Sequence, residues 1–252
     1  MSYDDNIFAA VYNKKFTDFS INIAPYLYEY IESHGKKVEN ILDVCCGTGQ
    51  LANIFLEKGY RVSGIDISES MLKYAIKLNS KYIEEGQAKF FVKDASNFTL
   101  EEKFSVVFST YDALNHLESE NHLKNCFESV YNVTEADGLF IFDLNTRKGL
   151  SRFDGSVSLS NDEKQFNMSQ SFYDPSGKKA MTKYLGFVKT KKDPYYLKYE
   201  ETIYNTVFEM NQVKNLLVET GWGKIKFAHG NNLHSELKDP ENADRVFIIA
   251  SK

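Results

Sequence analysis

The run Asp43-Val44-Cys45-Cys46-Gly47-Thr48-Gly49-Gln50-Leu51-Ala52 has the residue types of a ligand loop. Its glycines let backbone approach a bound molecule closely, and its N–H groups open the helix that follows. Asp66, nineteen residues past Gly47, can accept both hydroxyls of a ribose and disfavours a 2′-phosphorylated one. Asp94 ends a third apolar run, where a side chain can meet an adenine edge. Taken singly, each aspartate reads equally well as a turn residue or helix cap. Three consecutive strand ends in chain order argue instead for a nucleoside site. A dinucleotide site wants G-x-G-x-x-G; counted from Cys45 the first position is not glycine, and counted from Gly47 and Gly49 the third is Ala52. The loop has no lysine, so it is not a P-loop.

Other groups carry weaker chemistry. Asp112 and His116, four apart, could share a metal on a helix, but no third ligand has a helpful spacing, so no metal is expected. His229 and His234 show no metal pattern. Vicinal Cys45 and Cys46 are not the C-x-x-C of redox sites, and Cys126 lies on an apolar helix stripe. Lys183, Lys189, Lys191 and Lys192 on a β-prone segment read as a solvated face, with RNA contact as the alternative.

Alternating strands and helices must position these residues. Ile41–Val44, Val62–Ile65, Phe90–Val92, Val106–Phe108 and Leu139–Phe142 are apolar runs of strand length. Between them fall helical stripes: Leu51, Ile54 and Phe55; Met71, Leu72, Ala75 and Ile76 with Ser68 as N-cap; and Leu123, Cys126, Phe127, Val130 and Tyr131, ending near Gly138. Crossovers of this length mean a parallel sheet with helices on both faces. After Asn145 the pattern changes to three polar, aromatic, β-prone runs, 165–173, 179–190 and 195–208, which predict an antiparallel meander with a turn at Asp174–Gly177. Its tyrosines, including Tyr173, Tyr184, Tyr196 and Tyr204, offer flat walls with polar tips. A helix on Met210, Val213, Leu216 and Leu217, then strands at Ile225–Ala228 and Arg245–Ala250, complete the chain.

Composition narrows the function classes. The 252 residues include 14 Gly and 4 Pro and carry a net charge of −5, which fits one domain with a full core and disfavours a generic nucleic-acid or anionic-membrane surface. Met1–Lys15 has no apolar h-region, no run is long enough to span a bilayer, and three cysteines cannot all pair. A reduced, cytoplasmic protein is expected.

Ile-Leu-Asp-Val-Cys-Cys-Gly-Thr-Gly resembles motif I of the class I S-adenosylmethionine-dependent methyltransferases. Val-Ser-Gly-Ile-Asp-Ile-Ser-Glu-Ser-Met-Leu, Phe-Val-Lys-Asp-Ala-Ser, the run from Phe104 to Leu117, and Gly-Leu-Phe-Ile-Phe-Asp-Leu-Asn resemble its later motifs in order, over 38–145 and again over 209–251. Cys45 departs from the usual Gly or Ala. The resemblance implies a Rossmann-like, doubly wound, mostly parallel seven-stranded sheet in a single domain, 1–252, with an antiparallel β insertion at 146–208 roofing the acceptor site. It implies that Asp43 supports the loop and, through water, the methionine ammonium of S-adenosyl-L-methionine. Cys45, Gly47 and Gly49 would lie at the methionine moiety, Asp66 on the ribose, Ile67 and Met71 on the adenine, Asp94 and Ala95 on its edge, and Thr110 below the sulfonium. For Ile67 and Met71, ordinary core packing is the other reading.

The insertion resembles that of sugar N-methyltransferases, whose N-terminal Tyr-Asp element folds over the cofactor. Here Tyr12 keeps its place and Asn13 replaces the Asp. Those relatives have a His-Leu pair where this chain has His116-Leu117, which makes His116 a catalytic and substrate-facing candidate beside Tyr12. A packing role for Tyr12 and a capping role for His116 are the alternatives. Asn145, ending the fifth strand, is a further substrate candidate. The resulting expectation is methyl transfer to N or O of a small molecule, by a monomer or homodimer with no nucleic-acid or membrane partner. An RNA or protein methyltransferase and a non-catalytic S-adenosylmethionine-binding regulator remain as alternatives.

Overall fold

The computed structural model describes residues 7–35, 37–190 and 195–252; Lys191 and Lys192 lie outside them. Helices α1 (Ile7–Lys15) and α2 (Asp18–Ser33) lead into β1 (Asn40–Val44), α3 (Gln50–Glu57), β2 (Arg61–Asp66), α4 (Glu69–Leu78), a short α5 (Ser80–Glu84), β3 (Ala88–Val92) and β4 (Phe104–Ser109). A 3-10 turn at Ala113–His116 precedes α6 (Glu120–Val133) and β5 (Thr134–Asn145). There follow α7 (Arg147–Ser151), β6 (Val157–Asp162), β7 (Gln165–Asp174), β8 (Lys179–Lys189), β9 (Tyr196–Thr206), α8 (Met210–Glu219), β10 (Ile225–His229), β11 (Asn232–Glu236) and β12 (Arg245–Ser251).

The main sheet runs β11-β10-β12-β5-β4-β1-β2-β3. Strands β3, β2, β1, β4 and β5 are parallel neighbours, and β12, β10 and β11 add antiparallel. Strand β1 is buried along its whole length, as a central strand covered on both faces must be. Its side chains alternate between two cores. Leu42 and Val44 pack with Leu123, Phe127, Val130 and Leu217 of α6 and α8, and Ile41 packs with Leu27, Ile31, Leu51 and Phe55 of α2 and α3. The chain winds outward from β1 to β3 and returns to β4 beside β1, so the carboxyl ends of β1 and β4 form the switch point where a ligand crevice opens.

Three details depart from the sequence expectations. The sheet has an eighth strand, β11, a short edge paired to β10. Helix α6 stops at Val133, before Gly138: Thr134 Oγ1 donates to the Val130 carbonyl at 2.7 Å, and the Thr134 backbone already pairs with Phe104. The antiparallel layer has four strands rather than three, in the order β6-β7-β8-β9. Its β7–β8 turn is closed by Asp174 Oδ1, which accepts from the Ser176 N–H at 2.9 Å. Opposed pairs Tyr184–Glu201, Thr182–Ile203 and Ala180–Asn205 share one face of the layer, from which Asn205 Nδ2 meets Asp112 Oδ2 at 3.4 Å. Helix α1 closes the gap, packing Phe8 and Val11 against Tyr184, Tyr199 and Ile203.

Candidate active site

Two cavities meet at the switch point. The larger, about 430 Å3, is lined by Cys45, Gly47, Asp66, Ile67, Met71, Asp94, Ala95 and Thr110, so the three strand ends singled out in the sequence converge on one cleft. The bend after β1 puts Cys45 at φ +59° and Gly47 at φ +54°, conformations that favour glycine. Asp66 braces the loop: Oδ2 accepts from the Gly47 N–H at 2.8 Å and Oδ1 from the Ser68 N–H at 2.9 Å. Burial raises its carboxyl above the usual range, and these N–H donors oppose the rise. Asp94 Oδ1 accepts from both the N–H and the hydroxyl of Ser96 at 2.8 Å, fixing the end of β3. Ile67 is 69% exposed beside the cleft.

Gly49 and Asp43 do not line the cleft. A Cβ on Gly49 would lie 2.8 Å from that of Ala75, so this glycine lets α3 pack against α4. Asp43 sits beneath the loop, fully buried, with no hydrogen-bond partner for Oδ2 among the described residues. Burial and the nearby Asp66 charge push its carboxyl up to about 8. A buried carboxyl oxygen without a partner leaves a hydrogen-bonding demand beneath the loop that a cationic or N–H-bearing group, or a water bridging to one, would meet.

The smaller cavity, about 190 Å3, lies between the switch point and the antiparallel layer. Phe16, Asp112, Asn145, Phe172, Thr182 and Tyr184 line it, while Phe8, Tyr12, Tyr111, His116 and Ile203 line both cavities. Tyr184 is thus the cavity-facing member of the four tyrosines considered. Tyr173 meets the Arg147 guanidinium at 3.0 Å, and Tyr196 and Tyr204 are exposed. Tyr12 reaches over the loop, 3.7 Å from where a Gly47 Cβ would stand. Burial, with Tyr111 and Asp112 nearby, pushes its phenol well above the ordinary value, so it is a hydroxyl donor at neutral pH. Asn13 Oδ1 accepts from Gln50 Nε2 at 2.9 Å, anchoring α1 to the start of α3. His116 Nδ1 lies 3.0 Å from the Tyr204 carbonyl. A carbonyl only accepts, so Nδ1 carries the proton, and in the neutral ring Nε2 keeps a lone pair.

Sequence reasoning missed the bracket behind this wall. Tyr111 and Asp112 both have positive φ, +68° and +49°. Asp143 clamps the bend, its Oδ1 accepting from the Tyr111 N–H at 2.7 Å and its Oδ2 from the Asp112 N–H at 2.9 Å. Arg245 donates to Asp143 Oδ2 at 2.6 Å and to Asp112 Oδ1 at 2.7 Å, with its guanidinium over the stacked rings of Phe19 and Tyr111. Asp112, weighed in the sequence as a metal ligand, is therefore an ion-pair partner. The signal was an Asp inside Leu-Phe-Ile-Phe-Asp-Leu and an Arg heading Val-Phe-Ile-Ile-Ala: charges in buried runs need partners.

Residues 41–138 match the family described as methyltransferase domain. The chain is 28% identical over 243 residues, 93% of its length, to a putative methyltransferase of Geobacillus sp. (strain WCH70), covering 96% of that protein. A dTDP-3-amino-3,4,6-trideoxy-alpha-D-glucopyranose N,N-dimethyltransferase of Streptomyces venezuelae is 27% identical over 116 residues, 46% of each chain. In fold the chain resembles the crystal structure of an S-adenosylmethionine-dependent methyltransferase from Clostridium acetobutylicum ATCC 824, with TM-score 0.80 and 20% identity over 97% of both chains. With its ordered motifs, its cleft at the switch point and these relatives, the chain carries a methyltransferase domain over residues 41–138 and is similar to S-adenosylmethionine-dependent methyltransferases.

Proposed function

We propose that this protein transfers a methyl group to nitrogen or oxygen of a small molecule held in the smaller cavity. The observation that carries the reading is the shared wall: Tyr12 and His116 stand between a nucleoside-type cleft and a second cavity roofed by the antiparallel layer. A roofed cavity of about 190 Å3 suits a ring-sized group better than a folded macromolecule. The activity in the name of the Streptomyces venezuelae relative, N,N-dimethylation of an amino sugar, supports the same reading.

In this reading Asp66 takes the ribose hydroxyls, Asp94 and Ala95 the adenine edge, and Ile67 and Met71 the adenine faces. Gly47 and Cys45 leave room for the methionine moiety, whose ammonium Asp43 meets through water from beneath the loop, and Thr110 lies beneath the sulfonium. Gly49 acts indirectly, by seating the loop on α4. Bound S-adenosyl-L-methionine supplies a methyl already activated on a sulfonium. The chain's own residues orient the acceptor and exclude water. Phe8 and Tyr12 cover the junction of the cavities, Asn145 and Tyr184 hold the acceptor, and His116 Nε2 takes the proton that the acceptor atom sheds as its lone pair forms the new bond to carbon. Free Cys45, Cys46 and Cys126 are consistent with a reducing, cytoplasmic setting, and no helix among the described residues is long and apolar enough to cross a membrane.

The test is transfer of methyl-labelled S-adenosylmethionine into cell extract separated by size. Label in the low-mass fraction is expected; label in RNA or protein overturns the reading. His116→Asn, Phe and Ala are expected to lower turnover about 10²–10⁴-fold with cofactor affinity nearly unchanged. Wild-type turnover in all three would reduce His116 to a structural residue.

A further inference from the structure

We infer that the acceptor is a cation: an amphipathic molecule that brings an ammonium, and no phosphate or carboxylate, into the smaller cavity. The inference rests on reading that cavity as the acceptor site, and its own basis is charge and surface chemistry.

The bracket behind the wall holds two carboxylates, Asp112 and Asp143, against one guanidinium, Arg245. With both acids ionised, one negative charge is left over. Asp143 is sealed from solvent, whereas Asp112 lines the cavity, so the surplus is felt there. Arg245 occupies Asp112 Oδ1, and among the described residues Oδ2 has only a long 3.4 Å contact from Asn205 Nδ2, which leaves acceptor capacity toward the cavity.

Among the described residues that line the cavity there is no lysine or arginine. Of the cations nearest in sequence to its walls, Arg147 pairs with Glu209 and Arg152 with Asp244, Lys148 donates to the Asn242 carbonyl, and Lys179 donates to the Glu118 carbonyl and the Thr206 hydroxyl. Lys183 is exposed and does not line the cavity, although it lies over the ring of the wall residue Phe172, 5.9 Å from the centroid. An incoming phosphate or carboxylate would lose its water and find a carboxylate facing it, which disfavours anions.

The remaining walls are rings. Phe8, Tyr12, Phe16, Tyr111, Phe172 and Tyr184 surround the cavity, and aromatic faces attract cations. Burial and the nearby Tyr111 and Asp112 hold the Tyr184 phenol up at about 12, so these tyrosines add no competing negative charge. Ring walls with one uncompensated carboxylate form a cage for an ammonium on an apolar frame. The ammonium would first give one proton to His116 Nε2; the freed nitrogen lone pair would then form the bond to the methyl carbon as the carbon–sulfur bond breaks, leaving a methylated ammonium and S-adenosylhomocysteine.

Calorimetric titration of the full chain saturated with S-adenosylhomocysteine tests this with matched probes. Tyramine, tyrosol and 4-hydroxyphenylacetate share a ring and differ in carrying an ammonium, a hydroxyl or a carboxylate; thymidine diphosphate supplies the phosphate case. Tyramine is expected to bind about tenfold more tightly than tyrosol, a scale consistent with cation–π contact plus a charge-assisted hydrogen bond, and both anions most weakly. Asp112→Asn should erase most of that preference, and Thr182→Lys, which puts a cation on the cavity wall, should reverse it. Either anion matching tyramine, the absence of tyramine binding, or a preference unchanged in both variants overturns the inference. S-adenosylhomocysteine affinity reports separately: if that molecule binds and the probes do not sort by charge, only this inference fails, whereas if it does not bind, the underlying functional reading fails.

Discussion

In the proposed reading, Asp43 couples cofactor binding to pH. Its carboxyl ordinarily loses its proton near 3.8, and in the fold the pKa is about 8, chiefly because burial penalises the anion. The native state therefore keeps a proton that the unfolded chain has released across that interval. By linkage, this group's contribution to the stability of the cofactor-free protein is fully present below the lower value and is lost as pH rises through the higher one. A cofactor ammonium near Oδ2 favours the anion and offsets that loss. S-adenosylhomocysteine should therefore raise the melting temperature more at about pH 8 than at about pH 6, and Asp43→Asn should flatten the difference. Equal gains at both pH values in the wild type would remove Asp43 from the cofactor's reach. At this scale the sequence was legible where a residue belongs to a local motif: Cys45, Gly47, Asp66 and Asp94 line one cleft. Asp143 and Arg245 were not, because their pairing joins positions 102 apart and no local spacing encodes it.

At the scale of elements, β12 does more than complete the sheet. Paired antiparallel to β5 with Arg245 opposite Asn145, it delivers the guanidinium to the bend that follows β4. Replacing Arg245 with Met leaves Asp143 buried without its cation. The cost should be about 3 kcal/mol, the lower end for breaking a buried pair, since the arginine side chain is 25% exposed. Burial holds Asp143 up at about 6, and the lost interaction is with its ionised form, so the cost should shrink at about pH 5 and be full at about pH 7.5. Urea unfolding at the two values checks this, and an equal cost at both would place the arginine's contribution in packing rather than charge. Strands with continuous apolar runs were readable, whereas β11 was not: Asn-Leu-His-Ser-Glu has one apolar residue and pairs only at the sheet edge. Helix α2 carries a buried stripe at Ile23, Leu27, Tyr30 and Ile31, but the Pro inside it, Pro25, weakens the helical signal.

At the scale of the molecule, cofactor cleft and roof are separable. The cores on the two faces of the main sheet draw no buried residue from 157–206, whose contacts go instead to α1, to α7 and to the turn before α6. Replacing 157–206 with a short loop should leave a folded protein that still binds S-adenosylhomocysteine, weakened by the loss of support for α1, and that transfers no methyl group. Retained transfer, or loss of folding, would contradict this separation. The central claim is that the cleft at the switch point is a nucleoside site anchored by Asp66. The most direct measurement is calorimetric titration of S-adenosylhomocysteine into the wild type and Asp66→Ala. One site per chain is expected in the wild type, with a loss of about 2–4 kcal/mol in the variant, roughly 30- to 1000-fold in affinity. Unchanged affinity in Asp66→Ala would contradict the account.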